Sequence, residues 1–148
     1  MLLIAAPVVL LDQALKQLVV GQLEGGPGMS VIGDFLRFDV VRNSGAAFSL
    51  GAGGATVVFT ALAVVVSVLL LGFAHRLGGG AVLIAAALLL AGTMGNLIDR
   101  LVRAPGAGHG HVVDFIHITN FPIFNISDMS ITASVVVYLI VSLRQGRA

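Results

Sequence analysis

Apolar residues gather along this chain in four long blocks, residues 2–23, 55–74, 81–98 and 126–143. Each approaches the roughly 20 predominantly apolar residues that a helix needs to cross a bilayer. The second block has no charge at all, and the third and fourth keep their polar residues at one end. A short, basic, glycine-rich turn at 75–80 joins the second and third. The other two connections are long and patterned differently. Residues 24–54 contain alternating stretches at 31–38 and 38–41 that predict short strands, and residues 99–125 pass from a flexible 104–110 into a strand-like 111–118. Long loops of this kind are usually functional. The pattern predicts an all-α membrane protein: one membrane-embedded domain over 1–148, with four transmembrane helices and a small β-like cradle outside the bilayer.

Composition strengthens this reading. Apolar residues make up 57% of the chain and charged residues 10%, against about 25% charged in ordinary soluble domains. Mean hydropathy is +1.05. There is no cysteine, so disulfides, thiolate nucleophiles and cysteine metal sites are excluded. The first block lacks a basic leader and is interrupted by Asp12, Gln13 and Lys16, so a retained helix is expected rather than a cleaved signal. Charge then orients the chain. Arg76, Arg144 and Arg147 lie on the side of the short turn and the termini without any acid, whereas each long loop region is net negative. Positive residues stay inside, which predicts cytoplasmic termini and long loops facing outward.

The few polar residues within apolar surroundings are the candidates for chemistry. Asp12 and Lys16 share one face of the first helix, about 6 Å apart along its axis, and an intramembrane pair must face protein rather than lipid. Asn43 and Gly45 favour a turn after a strand-like stretch. Gly92, Asn96, Asp99 and Arg100 recur at helical spacing, placing a gap, an amide and an ion pair on one face. Asp114 lies in a predicted strand with Val112 and Ile116 on its side. Asn125 and Asp128 have the spacing of a capping box, so Asp128 has a structural reason to be there as well as a chemical one.

Two carboxylates held close in a partly dry site do not both ionise easily. One, kept ionised, can take a proton from an attacking water while the other donates to a carbonyl oxygen. A helix start favours the ionised form for Asp128, leaving Asp114 as the acid. Two rival uses of the same residues exist. Zinc could be held by His109, His111 and Asp114 with His117 or Asp128. Alternatively, Asp12, Lys16, Asp99 and Arg100 could line a proton or ion pathway in a non-catalytic carrier subunit.

Taken together, five blocks resemble the lipoprotein signal peptidases, the bacterial signal peptidase II family. They are DQALK from Asp12 to Lys16, NSGAAF from Asn43, GTMGNLIDR from Gly92 to Arg100, VVDF around Asp114, and FNISD ending at Asp128. The resemblance implies a four-helix aspartic endopeptidase of the bacterial inner membrane that cuts just before a diacylglyceryl-modified cysteine. It implies catalytic roles for Asp114 and Asp128, substrate contacts from Asn43, Gly45, Asn96, Arg100 and Asn125, and support from Asp12, Lys16 and Asp99. No cofactor or metal is expected. The expected partners are lipid-modified precursors and membrane lipid, not nucleic acid, with the chain acting as a monomer. Ser127 stands where the family usually has alanine, Ala91 replaces a common glycine, and the N-terminus lacks the usual basic residues.

Overall fold

A computed structural model describes residues 1–45 and 54–145, with side chains described for all of these except 54 and 55. The last part of the NSGAAF block, residues 46–48, lies outside the described residues. Among the described residues four helices and three strands follow one another: α1 (Leu2–Leu23), β1 (Met29–Ile32), β2 (Leu36–Asn43), α2 (Gly54–Gly72), α3 (Ala81–Val102), β3 (Val112–Ile118) and α4 (Ile126–Gln145). A single 3-10 turn, Ala74–Arg76, lies between α2 and α3. Helices α1, α3 and α4 are long and apolar enough to cross a membrane, and α2 is a shorter apolar helix over Thr56–Gly72.

Helix α3 is the axis of the bundle and packs against the other three helices. Its residues explain why. Ala85, Ala86, Ala87, Ala91, Gly92 and Gly95 are buried, and small side chains let helix backbones approach closely when lipid supplies no hydrophobic drive. At Gly92 a Cβ would collide with the Ser127 carbonyl oxygen and the Ile131 side chain of α4. At Gly95 it would strike the Ser127 hydroxyl and crowd the Asp12 carboxylate. These two glycines therefore set how near α1 and the start of α4 come to α3. On the outside, Leu3, Leu10, Val58, Leu62, Val68 and Leu139 are exposed, which suits a lipid environment.

The strands form one antiparallel sheet in the order β1-β2-β3. Phe38 pairs with Ile116 but Val41 pairs with Asp114, so β2 carries one extra residue between them. Such a bulge bends the strand and re-aims its side chains. Beyond it β2 continues to Asn43, opposite Val112. Phe115 and Val113 pack with Val19 of α1, and Phe38 meets the Phe115 ring edge-on at 6.1 Å. The sheet is thereby pinned over the C-terminal end of α1.

Several boundaries differ from those expected. The hairpin starts earlier, at Met29, with its turn at 33–35. Helix α3 runs to Val102 rather than ending at 98, so Asp99 and Arg100 are helical instead of opening a loop. Strand β3 does not alternate between buried and open faces at its start: Val112, Val113, Asp114 and Phe115 are all buried, Val113 and Phe115 against α1 and Phe38, and Asp114 against the Asn43 and Asn125 side chains.

Candidate active site

Three buried charges lie beneath the sheet. Lys16 places Nζ 2.9 Å from Asp12 Oδ2 and 2.8 Å from Asp99 Oδ2, and all three side chains are 0% exposed. Arg103 Nε completes the charge balance at 2.6 Å from Asp99 Oδ1. Asp12, Lys16, Asp99 and Arg103 thus sum to zero, as a buried cluster must if its desolvation is to be offset. Asp99 pairs with Lys16 and Arg103, not with Arg100 as the helical spacing suggested. Arg100 instead turns toward α2, over the Phe59 ring at 5.7 Å. It donates to the Asn96 carbonyl oxygen at 3.2 Å and has no salt bridge among the described residues.

The remaining valences of the two buried acids reach the chain on either side. Asp99 Oδ2 accepts the Val113 N–H at 3.1 Å, immediately before Asp114. Asp12 Oδ1 accepts the Ser127 N–H at 2.9 Å, immediately before Asp128. One cluster therefore grips β3 and α4 at equivalent places.

Above it, amides hold the two carboxylates. Asp114 Oδ1 accepts from Asn125 Nδ2 at 2.6 Å, and its Oδ2 accepts from Asn43 Nδ2 at 2.9 Å. Asp128 Oδ1 accepts from Asn96 Nδ2 at 2.8 Å, and its Oδ2 accepts the Asn125 N–H at 3.2 Å. The Asn125 side-chain oxygen in turn accepts the Asp128 N–H at 3.0 Å. That is the reciprocal cap expected from the spacing, and it coexists with the contact to Asn96. Asn125 consequently touches both acids, one with its side chain and one with its backbone.

Each amide is oriented by a further partner. Asn96 Oδ1 accepts from Lys16 Nζ at 3.1 Å and from Asn125 Nδ2 at 3.2 Å, so its NH2 group must face Asp128. Asn43 Oδ1 accepts the Gly45 N–H at 2.7 Å, which turns its NH2 group toward Asp114. Gly45 has φ +83°, a conformation glycine adopts without strain. Burial is the largest influence on Asp114. Although the Asn43 hydrogen bond opposes it, nearby Asp128 adds to it, and the carboxyl is pushed up to about 6 despite the further lowering by Asn125 and Lys16.

All ten residues singled out from the sequence lie in this one region. Two more belong with them and were not foreseen. Gln13 Nε2 lies 3.0 Å from the Gly95 carbonyl oxygen and within 3.3 Å of Asp99 Oδ1, and Arg103 closes the charge cluster. The spacing of Arg103, four residues after Asp99 on a helix, was the available signal. The zinc set is not gathered: His117 Nδ1 pairs with Asp39 Oδ2 at 2.8 Å and His109 Nδ1 faces the Ala107 carbonyl oxygen at 3.2 Å. Two apolar grooves approach the acids. One, of about 570 Å³, runs along α4 from Asp128 past Met129, Ala133 and Val137 beneath Phe121 and Phe124. The other, of about 260 Å³, lies among Phe59, Leu62, Leu89 and Ile131 and reaches Asn96.

A multipass membrane protein with two amide-bound carboxylates at the head of apolar grooves is built like a membrane enzyme. Its overall shape agrees with two solved bacterial membrane enzymes, both 33% identical in sequence. One has a TM-score of 0.82 over 98% of this chain and 88% of its own; the other has 0.78 over 96% and 91%. The chain matches the signal peptidase (SPase) II family, Peptidase_A8, over residues 4–144. It is 44% identical over 135 residues to the lipoprotein signal peptidase of Streptomyces coelicolor, covering 91% of this chain and 66% of that one. To those of Streptomyces griseus and Mycobacterium avium it is 42% and 40% identical, over 97% of this chain and 73% and 78% of theirs. The chain belongs to the signal peptidase II family of membrane proteases.

Proposed function

We propose that this protein removes the signal peptide from diacylglyceryl-modified prolipoproteins, cutting before the lipidated cysteine, as an aspartic endopeptidase whose catalytic pair is Asp114 and Asp128. The observation that carries this is the unequal setting of two carboxylates that share Asn125. Asp128 accepts the Asn125 N–H at the start of α4 and the Asn96 amide, an arrangement that suits a proton acceptor. Asp114 is 2% exposed, and that burial pushes its carboxyl up to about 6.

In the forward step Asp128 takes a proton from water as the water oxygen attacks the scissile carbonyl, and Asp114 protonates the carbonyl oxygen. Asp128 then passes its proton to the departing amine as the C–N bond breaks, and Asp114 recovers its own from the collapsing diol. Asn43, Gly45, Asn96, Arg100 and Asn125 line the path of the substrate backbone, with Arg100 offering a guanidinium free of any ion pair among the described residues. Asp12, Lys16 and Asp99 support the pair from below. The apolar grooves suit the signal helix and acyl chains, which enter from lipid.

The same reading makes the chain one domain that crosses the bacterial inner membrane four times, with α2 as the shortest span. Both termini lie in the cytoplasm, the acids face outward, and the chain acts as a monomer in contact with lipid. The carrier alternative has no support among the relatives, which are named as peptidases.

The pH dependence follows from the acid assignment. With Asp114 raised to about 6 and needed in its protonated form, kcat/KM for a lipidated precursor peptide falls as pH rises past that value. A rate that stays level from about pH 5 to pH 8 would contradict the assignment.

A further inference from the structure

The proposed peptidase reading, on which this inference rests, uses Asp114 but leaves open what keeps its carboxyl in place. Strand β3 enters the site from a long glycine-containing loop, and the first residue of that strand to touch the charge cluster is Val113. The acceptor is Asp99 Oδ2, which also binds Lys16; the other oxygen, Oδ1, is held by Arg103 Nε at 2.6 Å. Without Arg103, Oδ1 would keep only the longer Gln13 contact at 3.3 Å, and the carboxylate could rotate. Held at both oxygens, it presents a fixed acceptor to Val113 and so fixes the backbone that carries Asp114.

Arg103 sits well for this. It is the residue at which α3 stops, with its N–H donating to the Asp99 carbonyl oxygen. The loop after it folds back under the helix end, where the Ala107 and Gly110 N–H groups reach the Leu101 and Arg100 carbonyl oxygens. The Arg103 side chain is 12% exposed, so it bridges the buried cluster and the outer surface.

We propose that Arg103 is a positioning residue for Asp114, acting through Asp99 and the Val113 N–H. It also supplies the second positive charge without which Asp12 and Asp99 outnumber Lys16. The charged groups around this unit are Asp12 and Lys16 from α1, Arg100 from α3, Asp128 from α4, and the Arg42–Glu24 pair beside β2.

The test compares wild type, Arg103→Gln, Arg103→Lys, Asp99→Asn and the Arg103→Gln/Asp99→Asn pair. Cleavage of a diacylglyceryl-cysteine peptide is read as kcat and KM across pH. Arg103→Gln lowers kcat by about tenfold to a hundredfold, the range that a small misplacement of a reacting group produces. KM changes little, the pH profile moves upward, and Arg103→Lys recovers most of the rate. In the Asp99→Asn background the Arg103 change has little further effect, since its route is already cut. Carboxyl 13C titration of Asp114 reads the same coupling without substrate, and its midpoint rises in Arg103→Gln. A chain that failed to cleave would therefore sink the peptidase reading while this titration still decided the role of Arg103. An unmoved Asp114 titration, a full Arg103 effect in the Asp99→Asn background, or a lysine variant as impaired as the glutamine one would each overturn the assignment.

Discussion

Asp114→Asn and Asp128→Asn are each expected to reduce cleavage of a lipidated precursor by about a thousandfold or more, since one positioned acid or base contributes roughly 10²–10⁴. Neither change alters the shape of the site. Asparagine at 128 keeps an oxygen to accept the Asn125 N–H, so the cap on α4 survives while the proton acceptor is lost. Asparagine at 114 keeps one acceptor for the Asn43 or Asn125 amide but has no proton to give. In the proposed mechanism the two groups act in one step, so the double variant is expected to be little slower than the worse single variant. Rates multiplying across the two sites would mean that the carboxylates act separately. Correct folding of each variant is checked by thermal unfolding in detergent.

Lys16→Met carries the largest expected cost in stability. The ammonium is the single group contacting Asp12, Asp99 and Asn96 together. Without it, two fully buried carboxylates face each other with only Arg103 to balance them, and breaking a buried pair costs about 3–5 kcal/mol. Methionine fills the space of the lysine stem, so the loss is electrostatic rather than a cavity. The consequence extends to the acids above, because Asn96 loses one of the two donors that orient its amide toward Asp128. Thermal unfolding well below wild type is expected, together with a slower enzyme among the molecules that remain folded. Unfolding at the wild-type temperature would show that the cluster is not the keystone of the helix ends beneath the sheet.

The four apolar blocks were legible because lipid demands unbroken helical runs, and the helices begin within a residue or two of where those runs begin. Where the helices end was less legible. Asp99 and Arg100 read as the start of a loop because charge normally marks the bilayer edge, yet both stay helical since Asp99 is neutralised by Lys16 from another helix. The alternation around 31–41 located the hairpin, but the bulge between Phe38 and Val41 leaves no mark in the sequence, and it sets which β2 residues oppose Asp114. Asp12 and Lys16 could be assigned to an inward face from spacing alone. The joining of Asn43, Asn96 and Asn125 around two acids could not, because those amides come from three separate elements. Arg103 was passed over for a related reason: an arginine near a helix end has an ordinary role in solvent, and only the depth of Asp99 gives it another.

The most direct test of the central claim is to incubate the purified wild-type protein, in detergent with a strong chelator, with a precursor peptide bearing a diacylglyceryl cysteine and with the same peptide unmodified. Products are identified by mass spectrometry. The account predicts a single cut on the N-terminal side of the lipidated cysteine, at a rate the chelator does not change, and little or no cleavage of the unmodified peptide. An intact lipidated peptide, a cut elsewhere, or cleavage abolished by the chelator and restored by a divalent metal would contradict it.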